Sequence, residues 1–223
     1  PQDFVDVLTD EIKGTLNVLE AARINNIKRV IFSSSVWVYS ATNKSKVTES
    51  TILNPSKANH LFTLSKIISE IYIKKYKELY GQNFTILRYG VTYGPRVKPN
   101  ALVPFFVKKA LNNEKVTIFG DGTQTRSLIN IKDIIQGNIA SLDKIAKNKI
   151  YNLDGAKLIS INEFFDLLQL LLKKKLKVKY EKAREGDYNG KIVSIEKAKK
   201  ELNWEPKISL EEGLKEYISY IKK

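Results

Sequence analysis

Lys28-Arg29-Val30-Ile31-Phe32-Ser33-Ser34-Ser35 is the stretch on which the fold turns. Three large apolar residues after a basic pair read as a short strand buried at its apolar end, and the serine cluster follows at once. An open α/β sheet places its chemistry at the carboxyl edge of its strands, where a run into three serines fits. Upstream, Val5, Leu8, Ile12, Leu16 and Leu19 recur at spacings of three and four, which predicts an amphipathic helix to about Asn26. Downstream, Asn54-Pro55 breaks the chain, a second helix is predicted from about Ala58 to Tyr80 with its stop at Gly81, and Phe84-Thr85-Ile86-Leu87-Arg88 reads as the next buried strand. Helix, strand, helix, strand in this order argues for a parallel sheet with right-handed crossovers.

Tyr93-Gly94-Pro95 reads as a loop, and beyond Pro99 the elements become shorter. The pattern predicts a helix from Pro104 to Leu111, a strand from Val116 to Phe119, a tight turn at Gly120-Asp121-Gly122, a helix from Asp133 to Leu142 and a strand from Ile150 to Leu153. Ser160 with Glu163 three residues on is a capping box that opens a helix to Leu172. Lys177 to Tyr180 reads as an edge strand, and Ser209 caps a final helix to Ile221.

A chain of 223 residues can bury one good core, or a mononucleotide-binding half with a small lobe. No run approaches the roughly 18 apolar residues of a membrane span, and no charged-then-apolar segment opens the chain, so a cytoplasmic protein with no membrane partner is expected. The absence of cysteine excludes disulfides, thiolate metal sites and a cysteine nucleophile. With His60 as the sole histidine, neither a zinc cluster nor a histidine-based triad is expected, and no metal is assigned. There is no methionine either, which leads to the expectation of a fragment or one half of a split protein.

The formal charge of +14 and the run Lys173, Lys174, Lys175, Lys177, Lys179, Lys182 invite a nucleic-acid reading. Lysine predominates over arginine throughout, as on a solvated face, and the interleaved aromatics of RNA-binding strands are missing. No nucleic-acid partner is therefore expected. A basic surface still favours an anionic ligand such as a nucleotide diphosphate.

Seven motifs then stand in order along the chain. They are Gly14-Thr15-Leu16-Asn17-Val18-Leu19-Glu20-Ala21-Ala22; the serine cluster with Val38-Tyr39; Leu64-Ser65-Lys66; Arg88-Tyr89 with Tyr93-Gly94-Pro95-Arg96; Gly120 to Arg126; Arg184-Glu185-Gly186-Asp187; and Lys199-Lys200-Glu201-Leu202-Asn203-Trp204. Together they resemble the extended short-chain dehydrogenases, in the branch of UDP-glucose 4-epimerase and the sugar-nucleotide dehydratases. The resemblance implies an α/β fold: a partial Rossmann-like, doubly wound parallel sheet with a small C-terminal α/β substrate lobe. It places the NAD-binding part at residues 1–98 and the sugar-nucleotide lobe mainly at 99–223, with some segments returning to the sheet.

In such enzymes a serine or threonine hydrogen-bonds the sugar hydroxyl, a tyrosinate takes its proton, and a lysine four residues on lowers the tyrosine pKa and holds the nicotinamide ribose. A free phenol titrates near pH 10, so the neighbouring ammonium is what makes it a usable base. The resemblance assigns the hydroxyl to Ser35 and the ammonium to Lys66, with Ser33, Lys66 and Gly90 on the cofactor side. Phe62 occupies the tyrosine position and has no proton to exchange. Glu11 stands where an asparagine is frequent, Gly90-Val91 where Phe-Asn is, and Ala101 where the epimerases have a substrate-side asparagine.

The diphosphate side is better kept. Arg126 and Arg184 match the arginines that clamp the nucleotide diphosphate, a task suited to the planar guanidinium. Asp187 matches a nucleotide-side acid and Tyr93 a loop position near substrate. The glycine-rich turn that would hold the NAD pyrophosphate does not occur in the sequence. The expectation is an NAD-dependent nucleotide-sugar epimerase or dehydratase with impaired catalysis, acting on a nucleotide-diphosphate sugar, as a homodimer or with a complementing N-terminal chain. The alternative is a non-catalytic sugar-nucleotide-binding protein or subunit. Also open is an active enzyme assembled with a separate N-terminal chain, in which another group or water replaces the phenol.

Overall fold

A computed structural model of the chain describes residues 8–58, 60–155, 157–183 and 190–222. In chain order, one π-helical turn at Leu8–Lys13 leads into α1 (Gly14–Ile24), β1 (Val30–Ser35), a 3-10 segment (Val36–Ala41), α2 (Leu61–Tyr80), β2 (Phe84–Tyr89) and β3 (Val91–Tyr93). These are followed by α3 (Leu102–Leu111), β4 (Val116–Phe119), β5 (Thr125–Asn130), α4 (Ile131–Ala140), β6 (Lys149–Leu153) and β7 (Leu158–Ser160). The last elements are α5 (Ile161–Leu172), β8 (Val178–Glu181), α6 (Glu196–Leu202) and α7 (Leu210–Ile221). The chain divides into two compact units: residues 1–89, 137–153 and 193–205, and residues 90–136, 154–192 and 206–223.

The first unit is built on a parallel sheet of order β1-β2-β6. Val30 pairs with Phe84 and Ser35 with Tyr89, so the serine cluster lies at the carboxyl edge. Leu19 of α1, Ile73 of α2 and Ile86 of β2 are at most 1% exposed and pack together with Phe84. Burial of each such side chain contributes about 1.5–3 kcal/mol. The carboxyl half of the same sheet is polar inside. Arg88 of β2 donates to both carboxylate oxygens of Glu70 on α2, at 2.9 and 2.6 Å, and Ser34 Oγ donates to the first of them at 2.6 Å. The Tyr39 phenol accepts from Arg88 at 2.9 Å and donates to Asn152 Oδ1 at 2.7 Å. β1, the 3-10 segment, α2, β2 and β6 are thus tied by one buried network in which each charge is paired, as burial demands.

In the second unit, β3 and β5 run parallel and β7 lies antiparallel to β5, while β4 and β8 form a separate parallel pair. Val103 and Val107 of α3, Phe164, Phe165 and Leu168 of α5, and Leu214, Tyr217 and Ile218 of α7 share its core. Both capping boxes are present: Ser160 with Glu163, and Ser209 with Glu212.

Four local readings are corrected. Tyr93 ends strand β3 instead of lying in a loop, and the turn begins at Gly94, where φ is +137° and a Cβ would come within 2.5 Å of Ile131 Cγ2. Helix α3 starts two residues before Pro104, because a proline in the first turn gives up an N–H that has no intrahelical acceptor. Helix α4 starts at Ile131, with Asn130 Oδ1 accepting from Lys132 N at 2.9 Å. Strand β5 is absent from the sequence reading because Arg126 to Asn130 are all buried, so no in-out alternation marks it.

Candidate active site

At the carboxyl edge of the first unit's sheet, Lys66 meets Ser33, and Phe62 packs on Trp37, the residue that Ser35 caps. Ser35 caps the 3-10 segment, its Oγ accepting from Trp37 N at 3.2 Å, which leaves the hydroxyl proton for a ligand. Phe62 lies in the first turn of α2, where His60 Nδ1 accepts from Phe62 N at 3.2 Å. The Phe62 ring packs edge-on against Trp37 at 6.2 Å between centroids. Lys66, one helical turn on, presents its ammonium on the same face, 5.6 Å from the Phe62 ring centroid and 5.1 Å from that of Phe32.

Lys66 Nζ donates to the Ser33 carbonyl at 3.1 Å and forms an ion pair with Glu11 at 2.6 Å. Its side chain is 12% exposed. Ser33 Oγ donates to the Tyr89 hydroxyl at 3.2 Å, and Tyr89 donates to Asn138 Oδ1 at 2.7 Å. Tyr39 supplies no substitute base. It is fully buried, and burial pushes its phenol up to about 12 against the downward pull of Arg88.

In the second unit, Gly90 is obligatory in its place. A Cβ there would lie 1.9 Å from Asp154 Oδ1. Asp154, the residue after β6, is 1% exposed; it accepts from Gly155 N at 2.9 Å and from the Ser127 hydroxyl. Burial outweighs both bonds and pushes its carboxyl up to about 7. Tyr93 is a core residue, 1% exposed, its hydroxyl pressed against Gly213. Burial pushes its phenol up to about 12. Arg126 is 7% exposed and donates to the Thr125 carbonyl at 2.8 Å. Arg184 and Asp187 lie outside the described residues. The described residues contain no group of three or more His, Asp or Glu side chains placed to hold a metal.

Sequence reasoning passed over Asp154 and Glu70. A carboxylate directly after a buried strand signals the first. The second, inside a lysine-rich helix, carries no signal of burial.

A family profile described as NAD dependent epimerase/dehydratase matches residues 2–154, more than half of the chain. The chain belongs to that family. A putative UDP-glucose 4-epimerase of Methanocaldococcus jannaschii is 36% identical over 215 residues, covering 95% of this chain and 68% of the relative. The solved structure of a UDP-glucose 4-epimerase of Thermotoga maritima, with UDP-glucose, superposes with a TM-score of 0.89 at 32% identity, over 96% of this chain and 70% of that one. A tyrosine-to-phenylalanine mutant of the UDP-glucuronic acid 4-epimerase of Bacillus cereus matches with a TM-score of 0.90 at 29% identity, over 96% of this chain and 68% of that one. That mutant was solved in complex with UDP-4-deoxy-4-fluoro-glucuronic acid and NAD. The Rossmann-type α/β architecture is shared with these neighbours.

The family's cofactor can be tested against the side chains present. Lys66, mostly sheltered at the strand ends with one N–H lacking a partner among the described residues, fits the ribose end of a nicotinamide nucleotide. No glycine-rich strand-turn-helix for the pyrophosphate accompanies it among the described residues.

Proposed function

We propose that this chain is a nucleotide-sugar epimerase or dehydratase of its family with impaired catalysis, which still recognises a nucleotide-diphosphate sugar. Phe62 carries the reading. It sits one turn before Lys66 with its ring under the ammonium, where the chemistry needs a phenol oxygen. Ser35 retains a hydroxyl proton for the sugar, and Lys66 retains a donor for the ribose. When bound, NAD supplies the acceptor for the sugar's hydride. Phe62 offers the accompanying proton no acceptor, so alcohol oxidation stalls at the chain's own side of the exchange.

Recognition of the diphosphate is assigned to Arg126 and Arg184, with Asp187 on the nucleotide side; Tyr93, expected near substrate, is a core residue and is not assigned a part in it. Support comes from their motifs and from the relatives that carry UDP-sugars. In calorimetry, UDP-glucose or dTDP-glucose should bind, and Arg126→Ala should weaken binding by ~1.5–3 kcal/mol, the range for a charge-assisted hydrogen bond. Absence of any saturable binding would refute the proposal.

A non-catalytic sugar-nucleotide-binding protein or subunit is the second reading. It is favoured by the Glu11 pairing of Lys66, which engages the ammonium within the chain itself. A homodimer through the helices around α1 and α2 belongs to the same proposal: Val18, Ile71 and Tyr72 are 57%, 44% and 39% exposed. No described helix is long and apolar enough to cross a membrane, and a cytoplasmic location is proposed with the function.

A further inference from the structure

Glu11 is fixed to the reaction centre from two sides. Its side chain meets Lys66 Nζ at 2.6 Å, and its carbonyl accepts from Thr15 Oγ1 of α1 and, at 3.3 Å, from Ser69 Oγ of α2, one turn beyond Lys66. The residue lies in the π-helical turn Leu8–Lys13, a backbone irregularity of a kind frequent at functional sites. With the Ser33 carbonyl on another donor, the ammonium of Lys66 is held in one orientation and has an anion in contact. The ion pair is mostly sheltered, with Lys66 12% and Glu11 28% exposed, so water screens it less than a surface pair.

An ammonium lowers the pKa of a neighbouring phenol only through the positive field that reaches it. A carboxylate in contact with the ammonium turns that charge into a dipole, whose field at 5–6 Å is a fraction of the single charge's. We propose that Glu11 is a positioning residue that holds Lys66 against Ser33 and cancels its charge, so that position 62 is unsuited to proton transfer even when a phenol is supplied there. This rests on the reading of Ser35, position 62 and Lys66 as the family's reaction centre. Phe62 and Glu11 are then a matched pair of changes: one removes the acid-base group and the other removes the field that would activate it.

The test compares Phe62→Tyr with Phe62→Tyr/Glu11→Gln, following the introduced phenol by NMR of ring-labelled tyrosine across a pH titration. His60 and Lys66 touch position 62, Glu11 pairs with Lys66, and Tyr89 bonds to Ser33, beside Lys66; of these only Glu11 differs between the two variants. The single variant should titrate near the ordinary value of about 10, and the double variant about one unit or more lower. Equal midpoints, or a single variant already shifted down by a unit, would overturn the proposal.

Should either variant fail to fold, acylation of Lys66 by acetic anhydride, read by mass spectrometry on the parent chain and on Glu11→Gln, replaces the titration. Loss of the carboxylate should raise the rate ~3- to 10-fold, because the amine is no longer held in its ion pair. An unchanged rate would overturn the proposal. Neither readout involves nucleotide, so failure of sugar-nucleotide binding and failure of this inference show in separate experiments.

Discussion

Gly90 and Asp154 share one space: the missing side chain of the first is occupied by the carboxylate of the second. Gly90→Ala is expected to cost about 1–3 kcal/mol in denaturant unfolding, the range for overpacking a filled site. The cost should largely vanish in an Asp154→Ala background, and a cost that persists there would place the strain elsewhere. Asp154 also makes stability depend on pH. Its folded pKa is raised from 3.8 to about 7, so between those values the folded chain holds a proton that the unfolded chain has released. Stability from this group is full below about pH 4 and is lost as pH rises through 7. Asp154→Asn should flatten that decline in melting temperature, and an unaltered slope would contradict it. Gly90 could be singled out from the sequence, because its motif neighbours fix its place. Asp154 carries a sequence signal, a carboxylate directly after a buried strand, but its contact with Gly90 comes only with folding.

At the scale of elements, the junction of β1, α2 and β2 depends on the Glu70 and Arg88 pair, both side chains 2% exposed. Glu70→Ala should destabilise by about 3–5 kcal/mol, because it leaves a buried guanidinium without its counter-charge. Replacement of both by apolar residues of similar volume should cost much less, and equilibrium unfolding distinguishes the two cases. On α2, Ile71→Lys should shift a dimer toward monomer in sedimentation if the exposed faces of α1 and α2 associate. An unchanged state would exclude that contact. The elements most legible in the sequence were those with a strong local signal: the α2 stop at Gly81, where φ is +73°, and the capping boxes of α5 and α7. Those that escaped lacked one. α6 buries only Ala198 and Leu202, one helical turn apart in a lysine-rich segment, and β5 is buried along nearly its whole length.

For the molecule as a whole, the charge of +14 suits a polyanionic ligand, and the fold is that of enzymes solved with nucleotide sugars. The 223 residues contain no glycine-rich pyrophosphate turn, so NAD should bind this chain weakly, beyond the micromolar range in calorimetry. Micromolar binding would show that other residues hold the pyrophosphate. The family was readable because seven motifs keep their order. The pairing of Lys66 with Glu11 was not, since the two are 55 residues apart and only folding brings them into contact. The central claim, recognition of a nucleotide sugar without its conversion, is tested most directly by one proton NMR experiment on UDP-glucose with the chain and NAD. Saturation transfer from protein to uridine and sugar protons reports binding, and the anomeric region of the same sample reports conversion. The account predicts transfer to both moieties and no new anomeric signal over the incubation. Absence of transfer, or growth of an epimer or keto-sugar signal, would contradict it.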